Sequence, residues 1–343
     1  MSFTTLAATD FVVSADSVTA PAWSGNVPTL NTFYTASTGV SSSFYRDVYN
    51  LDPSSINSAI QFSIAYGRSD GSGSAPINSL IPGNTPTRIN FGQFRNLVFG
   101  DAESSFNFGD GNPSSYDLIA ISVDRSRYKE SLMPGTFNLA LSSSAGKIHL
   151  TDNSIDATTI NYLDCGRVFN VVSGSNGSSA TVTAPLGSST KGYTVSGSYG
   201  LFLPDIGTII LNPRALALPF ASGGLAIPFY SGSNANQNLA NNDLIYSAIS
   251  SGLGFQLQSQ ETISSNYIFV RVRNSDYNYT TNPSFITGSG EMVYTNFINS
   301  PQTYPTTVGL YNDNNDLLAV AKLSKPLTKD FTKEMLIRVK LDW

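Results

Sequence analysis

The sequence contains one cysteine and one histidine, Cys165 and His149, in 343 residues. A lone cysteine closes no internal disulfide, and the two residues together cannot furnish a Cys/His zinc site, so we expect neither a disulfide scaffold nor a metal centre, and no cofactor. Charge is also scarce. Only 13% of residues are Asp, Glu, Lys or Arg, about half the usual share, and Ser, Thr, Asn and Gly take the surface role. The 19 basic residues are outnumbered by 24 acidic ones, for a net charge of −5, which excludes the basic footprint of a nucleic-acid or membrane-surface binder. No apolar run approaches the roughly 18 residues of a membrane helix. The first twenty residues lack a basic stretch followed by an apolar one, so we expect no export signal and assembly in a cytoplasm.

What is present is strand signal, as aromatic and β-branched runs bounded by Gly, Asn, Pro and Ser. These include FYRDVYNL (44–51), AIQFSIAYG (59–67), YDLIAISVD (116–124), TFNLALS (136–142), RVFNVVSG (167–174), GTIILN (207–212) and NYIFVRVRN (266–274). In AIQFSIAYG the larger residues Ile60, Phe62, Ile64 and Tyr66 alternate with others, as in an antiparallel strand. We expect a mainly β chain with an antiparallel, sandwich-like docking domain and one or two short helices. One helix is expected near 237–251, where Leu244, Ile245, Ala248 and Ile249 share a face and Gly252 offers a stop; a second is expected within 125–135. Composition turns Gly- and Ser-rich after about residue 143. This predicts that 1–145 and 255–343 form one discontinuous domain around an inserted β-rich domain, 146–254.

The segment from 306 onward differs from the rest. TTVGLY and LLAVAKL flank NDNND (312–316), whose Asn and Asp suit a hairpin turn. The run Leu317 to Ala321 is apolar on both faces and reads as a central strand covered on both sides. In EMLIRVKLDW, Met335, Ile337, Val339, Leu341 and Trp343 alternate with Arg338, Lys340 and Asp342, giving one apolar and one charged face. The last 22 residues hold six basic side chains against three acidic ones, so they carry +3 within a chain of net −5.

At these residues the sequence resembles a known family. VGLYNDNNDLLAVAKLSKPLTKD followed by IRVKLDW resembles a motif of the baseplate-facing N-terminal domains of collar-type tail-fibre proteins of contractile-tailed phages. With YRDVYN, FSIAYGRSDGSGS, RSRYKESLMPGTFNLALS, GRVFNVVSGS and YIFVRVRNSDYNYTTNPSF, the chain looks like a virion structural protein of T-even-like phages infecting cyanobacteria. The resemblance implies a tail- or baseplate-associated component of the virion. It also implies other virion proteins, and copies of itself, as partners. The long repetitive shaft of a fibre is not present.

The sequence offers little for catalysis. GRSDGSGSAP (67–76) matches neither a nucleophile elbow nor a phosphate-binding loop, and His149 lies far from it. Asp and Asn clusters at 108–117 and 312–316 lack calcium-loop spacing and read as turns. We therefore expect no enzyme. The interaction candidates are Lys322, Lys325, Lys329 and Lys333, as an outward-facing docking surface for an acidic partner, and Tyr277, Tyr279 and Phe285, as subunit packing or a platform for sugar rings. A carbohydrate-binding receptor-recognition protein or tail-fibre adaptor, with a glycan as ligand, is the alternative reading.

Overall fold

A computed structural model describes residues 4–23, 34–35, 45–71, 86–109, 115–180, 192–231, 239–280 and 282–342. The fold is mainly β with large antiparallel sheets, one of which curls into a half-barrel. The chain divides into two compact units: a terminal unit, Met1–Ser17 with Thr262–Trp343, and a central unit, Val18–Glu261.

The central unit is organised by one large sheet. Its strands run in the order Gly254–Gln256, Asn138–Ser143, Gly146–Asp152, Gly166–Ser175, Gly200–Leu203, Thr208–Leu211, Asp117–Val123, Ile60–Arg68, Arg46–Tyr49 and Tyr34–Thr35. Every one of these neighbouring pairs is antiparallel. The middle strands are buried on both faces, and period-two alternation assigns their side chains to two separate cores. Phe62, Ile64, Tyr66, Ile119, Ile121, Ile209 and Leu211 enter one core, under the helix Ala240–Gly252 through its Ile245, Ala248 and Ile249. Ala65, Leu118, Ala120, Leu201, Leu203 and Ile210 enter the other, against Phe91 and Val98 of the helix Pro86–Phe99. A sheet covered on both sides gains from both faces, at about 1.5–3 kcal/mol for each large side chain fully buried.

This sheet moves the expected domain boundaries. A discontinuous unit built from both ends of the chain is present, but its boundaries fall at 17/18 and 261/262, not near 145 and 255. Strands from 46–143 and from 146–256 are interleaved in one sheet; Asp117–Val123 lies between Thr208–Leu211 and Ile60–Arg68. The Gly/Ser-rich shift after 143 therefore reflects tight turns between paired strands. At Gly177 and Gly197 φ is +77° and +92°, left-handed values that a side chain disfavours. Of the helix expected within 125–135, only a 3-10 turn over Arg125–Arg127 forms before the chain becomes strand at Ser131–Leu132. The helix Pro86–Phe99 was not expected. Its apolar residues Phe91, Phe94 and Val98 have helical spacing, but Asn90 and Gly92 interrupt the pattern.

The terminal unit is thinner. Met335–Asp342 pairs with Gln258–Val272 through eight consecutive residues, from Ser265↔Asp342 to Val272↔Met335. As the alternation requires, Ile337 and Val339 are buried, Met335 and Leu341 are half-buried, and Arg338 and Lys340 are exposed; Trp343 lies outside the described residues. Thr307–Tyr311 and Leu317–Lys322 form the expected antiparallel hairpin. Its turn is held by the Asn312 carboxamide oxygen, which accepts from the backbone N–H of Asn314 and Asp316 at 3.0 and 2.8 Å. Leu317–Lys322 is not the covered central strand that its composition predicts. It belongs to a two-stranded sheet, its inward positions Ala319 and Ala321 are small, and Leu317, Leu318 and Val320 are exposed.

The end of the helix Ala240–Gly252 shows how backbone approach sets the choice of residue. Gly252 was expected as the left-handed stop, but that conformation falls on Leu253, with φ of +53°. The missing side chain of Gly252 serves another purpose, because a Cβ there would run into the Ala140 carbonyl. Gly252→Ala should therefore destabilise the central unit by roughly 1–3 kcal/mol through overpacking. Leu253→Gly should instead stabilise it, by up to about 1 kcal/mol, by relieving the left-handed conformation. Urea denaturation of the two variants tests the opposite signs.

Candidate functional site

The sequence places four lysines, Lys322, Lys325, Lys329 and Lys333, in one apparent basic strip. The structure separates them. Lys322 and Lys325 are exposed, and Lys333 pairs with Asp330 at 2.9 Å. Lys329 is the exception, with a relative exposure of 0%. Its ammonium donates to the Asn274 carbonyl (2.9 Å), the Asn278 Oδ1 (2.8 Å) and the Asp330 carbonyl (2.9 Å). Three oxygens match the three donors of an ammonium group, so the buried cation is satisfied by neutral acceptors. Lys329 therefore cannot contribute to an outward docking surface. It is a structural pin, and two of its three acceptors come from 51 and 55 residues upstream.

The pin sits at the base of the hairpin. Lys329 and Thr303 exchange both backbone hydrogen bonds, at 2.8 and 2.9 Å, and the Leu323 and Leu327 N–H groups continue the ladder to the Thr306 and Pro305 carbonyls. The Thr303 hydroxyl donates to the Tyr277 carbonyl at 2.8 Å. Tyr277 itself adopts a left-handed backbone, φ +53°, in the turn between the acceptors Asn274 and Asn278. One buried charge thus ties the 274–278 turn to the hairpin.

The three aromatic candidates do not form one platform. Tyr277 is in the turn just described, and its hydroxyl lies 2.9 Å from the Thr4 hydroxyl. Phe285 packs edge-on against Tyr294 and Phe297, with centroids 5.2 and 5.9 Å apart. Tyr279 is the most exposed of the three, at 55%. Sequence proximity within 277–285 thus conceals separate roles.

Charged groups in the terminal unit form short networks. The buried Ser265 hydroxyl donates to Asp342 at 2.7 Å and lies 3.3 Å from Asp16, while Lys340 reaches Asp342 at 3.0 Å. The Ser265 hydroxyl and the Lys340 ammonium together hold the Asp342 carboxyl below its usual range. The Thr332 hydroxyl and the Lys333 ammonium hold the Asp330 carboxyl well below it.

The central unit has buried polar groups of a different kind. Tyr66 donates to Asp117 at 3.2 Å; burial raises both groups, with the Arg68 charge opposing the rise at Asp117. The Tyr66 side chain is fully buried and therefore closed to a substrate. A groove of about 330 Å³ between the 142–144 turn, 226–228 and the helix Ala240–Gly252 is lined by serines over Ile227, Leu244 and Ala248, with no titratable side chain among its lining residues. His149 is exposed on a strand, opposite Ala140. Cys165 is half-buried, which pushes its thiol up and away from thiolate reactivity. Among the described residues no group of three or more His, Cys, Asp or Glu side chains is placed to hold a metal ion, and no helix is long and apolar enough to cross a membrane.

The remaining candidate is the apolar surface of the terminal unit. Among its described residues only four aliphatic side chains are buried, Ile268, Val272, Ile337 and Val339, and four polar ones are buried with them: Asp10, Ser265, Asn278 and Lys329. Sixteen large apolar side chains are exposed in the same unit, among them Phe11, Val12, Val13, Leu317, Val320 and Leu336. The sequence pattern of 308–343 stands apart from the rest of the chain, but it does not show that the apolar residues there face outward. No family model, no curated protein and no solved structure matches the chain.

Two outcomes test the electrostatics. Lys329→Met leaves three buried oxygens without their donor and should cost roughly 2–4 kcal/mol in the terminal unit, whereas Lys322→Met at the surface should change stability by less than about 0.5 kcal/mol. Asp330→Asn should lower stability near neutral pH. A carboxyl depressed below its unfolded value, about 3.9, stabilises above that value and loses the contribution as pH falls through the folded one. The gap between variant and parent in urea denaturation should therefore hold from about pH 7 down to about pH 5 and narrow progressively below about pH 4.

Proposed function

We propose that this chain is a non-enzymatic structural protein that joins its neighbours in a larger assembly through the terminal unit. The assembly is the phage tail or baseplate that the resemblance of 308–343 implies. The observation that carries the reading is the inverted balance of the terminal unit, where exposed large apolar side chains outnumber buried ones by sixteen to four. A monomeric soluble domain rarely leaves so many of its large apolar side chains uncovered, and exposed apolar surface on this scale points to interaction. In a particle that surface is covered by adjoining subunits, and the interface supplies burial that the unit lacks alone.

The two units divide the work on this reading. The central unit, with its two cores, is the rigid body, and the terminal unit is the connector. Lys329 and the Ser265 network keep the connector in one conformation with little apolar burial of its own, while exposed Lys322 and Lys325 steer an acidic partner surface. The glycan-binding alternative has less support, because Phe285 packs internally and the Tyr277 hydroxyl is engaged by Thr4.

Hydrogen exchange on purified particles tests the proposal. The amides of 11–13 and 307–322 should be strongly protected in the particle relative to the free chain. Absence of the chain from particles would overturn the reading, as would turnover of an ester or polysaccharide that one Asp, Glu or Ser substitution abolishes.

A further inference from the structure

The hairpin within that connector has an arrangement that selects a particular occupant. Its register pairs Thr307 with Lys322, Gly309 with Val320, and Tyr311 with Leu317 on one face; Val308 with Ala321 and Leu310 with Ala319 lie on the other. Val308, Leu310 and Ala321 pack onto the small core of the unit, so the first set faces outward. The outward face is apolar along its middle. The Tyr311 ring lies over Gly309, where a Cβ would meet it at 2.9 Å, and Leu317 closes the same spot. Val320 beside them is 61% exposed. Charge is confined to the two ends: Asp313 and Asp316 are exposed in the turn at the tip, and Lys322 marks the base of the face.

A face that is acidic at one end, apolar in the middle and basic at the other is complementary to itself when one copy is turned by 180° about an axis through the middle. We propose that this face docks on the same face of a second copy of the chain, with Asp313 of each copy over Lys322 of the other. The inference rests on the reading of the terminal unit as an assembly module and names the partner of one of its surfaces. Isologous contacts require such internal complementarity, whereas contact with a different protein does not. The register shift at Tyr311 leaves Leu318 as an extra, bulged residue. A bulge on this strand hinders edge-to-edge strand addition and favours stacking of faces.

The size of the face sets the strength of the contact. Two strands with about five residues each present roughly 10 by 17 Å, well short of the roughly 800 Å² per partner of a stable complex. The isolated contact is therefore weak, with a dissociation constant of about 0.1–1 mM, and becomes effective when several copies are held near one another.

Sedimentation equilibrium of the full chain at low salt, up to about 1 mM, should show a monomer–dimer equilibrium in that range. Val320→Asp should weaken it at least about tenfold, with far-UV circular dichroism unchanged because the side chain faces outward. Lys322→Glu should weaken it about tenfold, and adding Asp313→Lys to that variant should restore it to within about threefold of the parent. A chain that remains monomeric throughout, or a double variant no better than the single one, would overturn the two-fold contact. A monomeric chain that still enters particles with 307–322 protected would reject the second copy and leave the assembly reading standing. A dimer that never enters particles would do the reverse.

Discussion

Burying an ammonium ion is costly unless each of its donors finds an acceptor, and the terminal unit is arranged around meeting that demand at Lys329. Two of the acceptors come from the 274–278 turn and one from Asp330. The turn must therefore close against the base of the hairpin before the charge can be buried. The hairpin in turn places Val308, Leu310 and Ala321 on the few buried aliphatics of the unit. With so little apolar burial available, a directional polar contact does what packing does elsewhere, fixing one geometry. Its acceptors are two carbonyls and a carboxamide, so titration of a partner carboxylate cannot release it.

The central unit is built on the opposite principle. Its strands carry large side chains on both faces, and each face finds a helix. Small residues occur where backbones must come close: Gly67 lies beneath Phe91, and Gly252, at the end of its own helix, lies against the Ala140 carbonyl. The Arg167 guanidinium then clamps the start of its strand to Asp205, at 2.5 and 3.0 Å. Burial alone would raise the Asp205 carboxyl, but these hydrogen bonds hold it below its usual value. Rigidity arises here from many apolar contacts, and the polar groups only fix details of register.

This contrast explains what could be read from the sequence. Strands such as Ile60–Arg68 and Asp117–Val123 were legible because alternation is local and their neighbours do not change it. The 312–316 turn was legible from its Asn and Asp residues, and the helix at 240–252 from its apolar face. Strand pairing is not local, so composition placed a boundary at 145 where the sheet continues. The even spacing of Lys322, Lys325, Lys329 and Lys333 suggested one surface. Nothing within a few residues of Lys329 reveals that Asn274 and Asn278 will surround it. Exposure of Leu317 and Val320 was hidden for a related reason, since an apolar run looks the same whether its own unit or another molecule covers it.

The discontinuity of the terminal unit bears on the order of events at the ribosome. Residues 18–261 form a contiguous unit that can fold while the chain is still emerging, as domains generally do. The segment before residue 18 belongs to a unit that is completed only when residues 262–342 have been made. Strand Met335–Asp342 and the Lys329 pin arrive among the last of these. A chain that stops soon after residue 261 therefore has a folded central unit and an incomplete terminal unit. On the proposed reading, assembly through the terminal unit is in this way withheld from chains that stop short of residue 342.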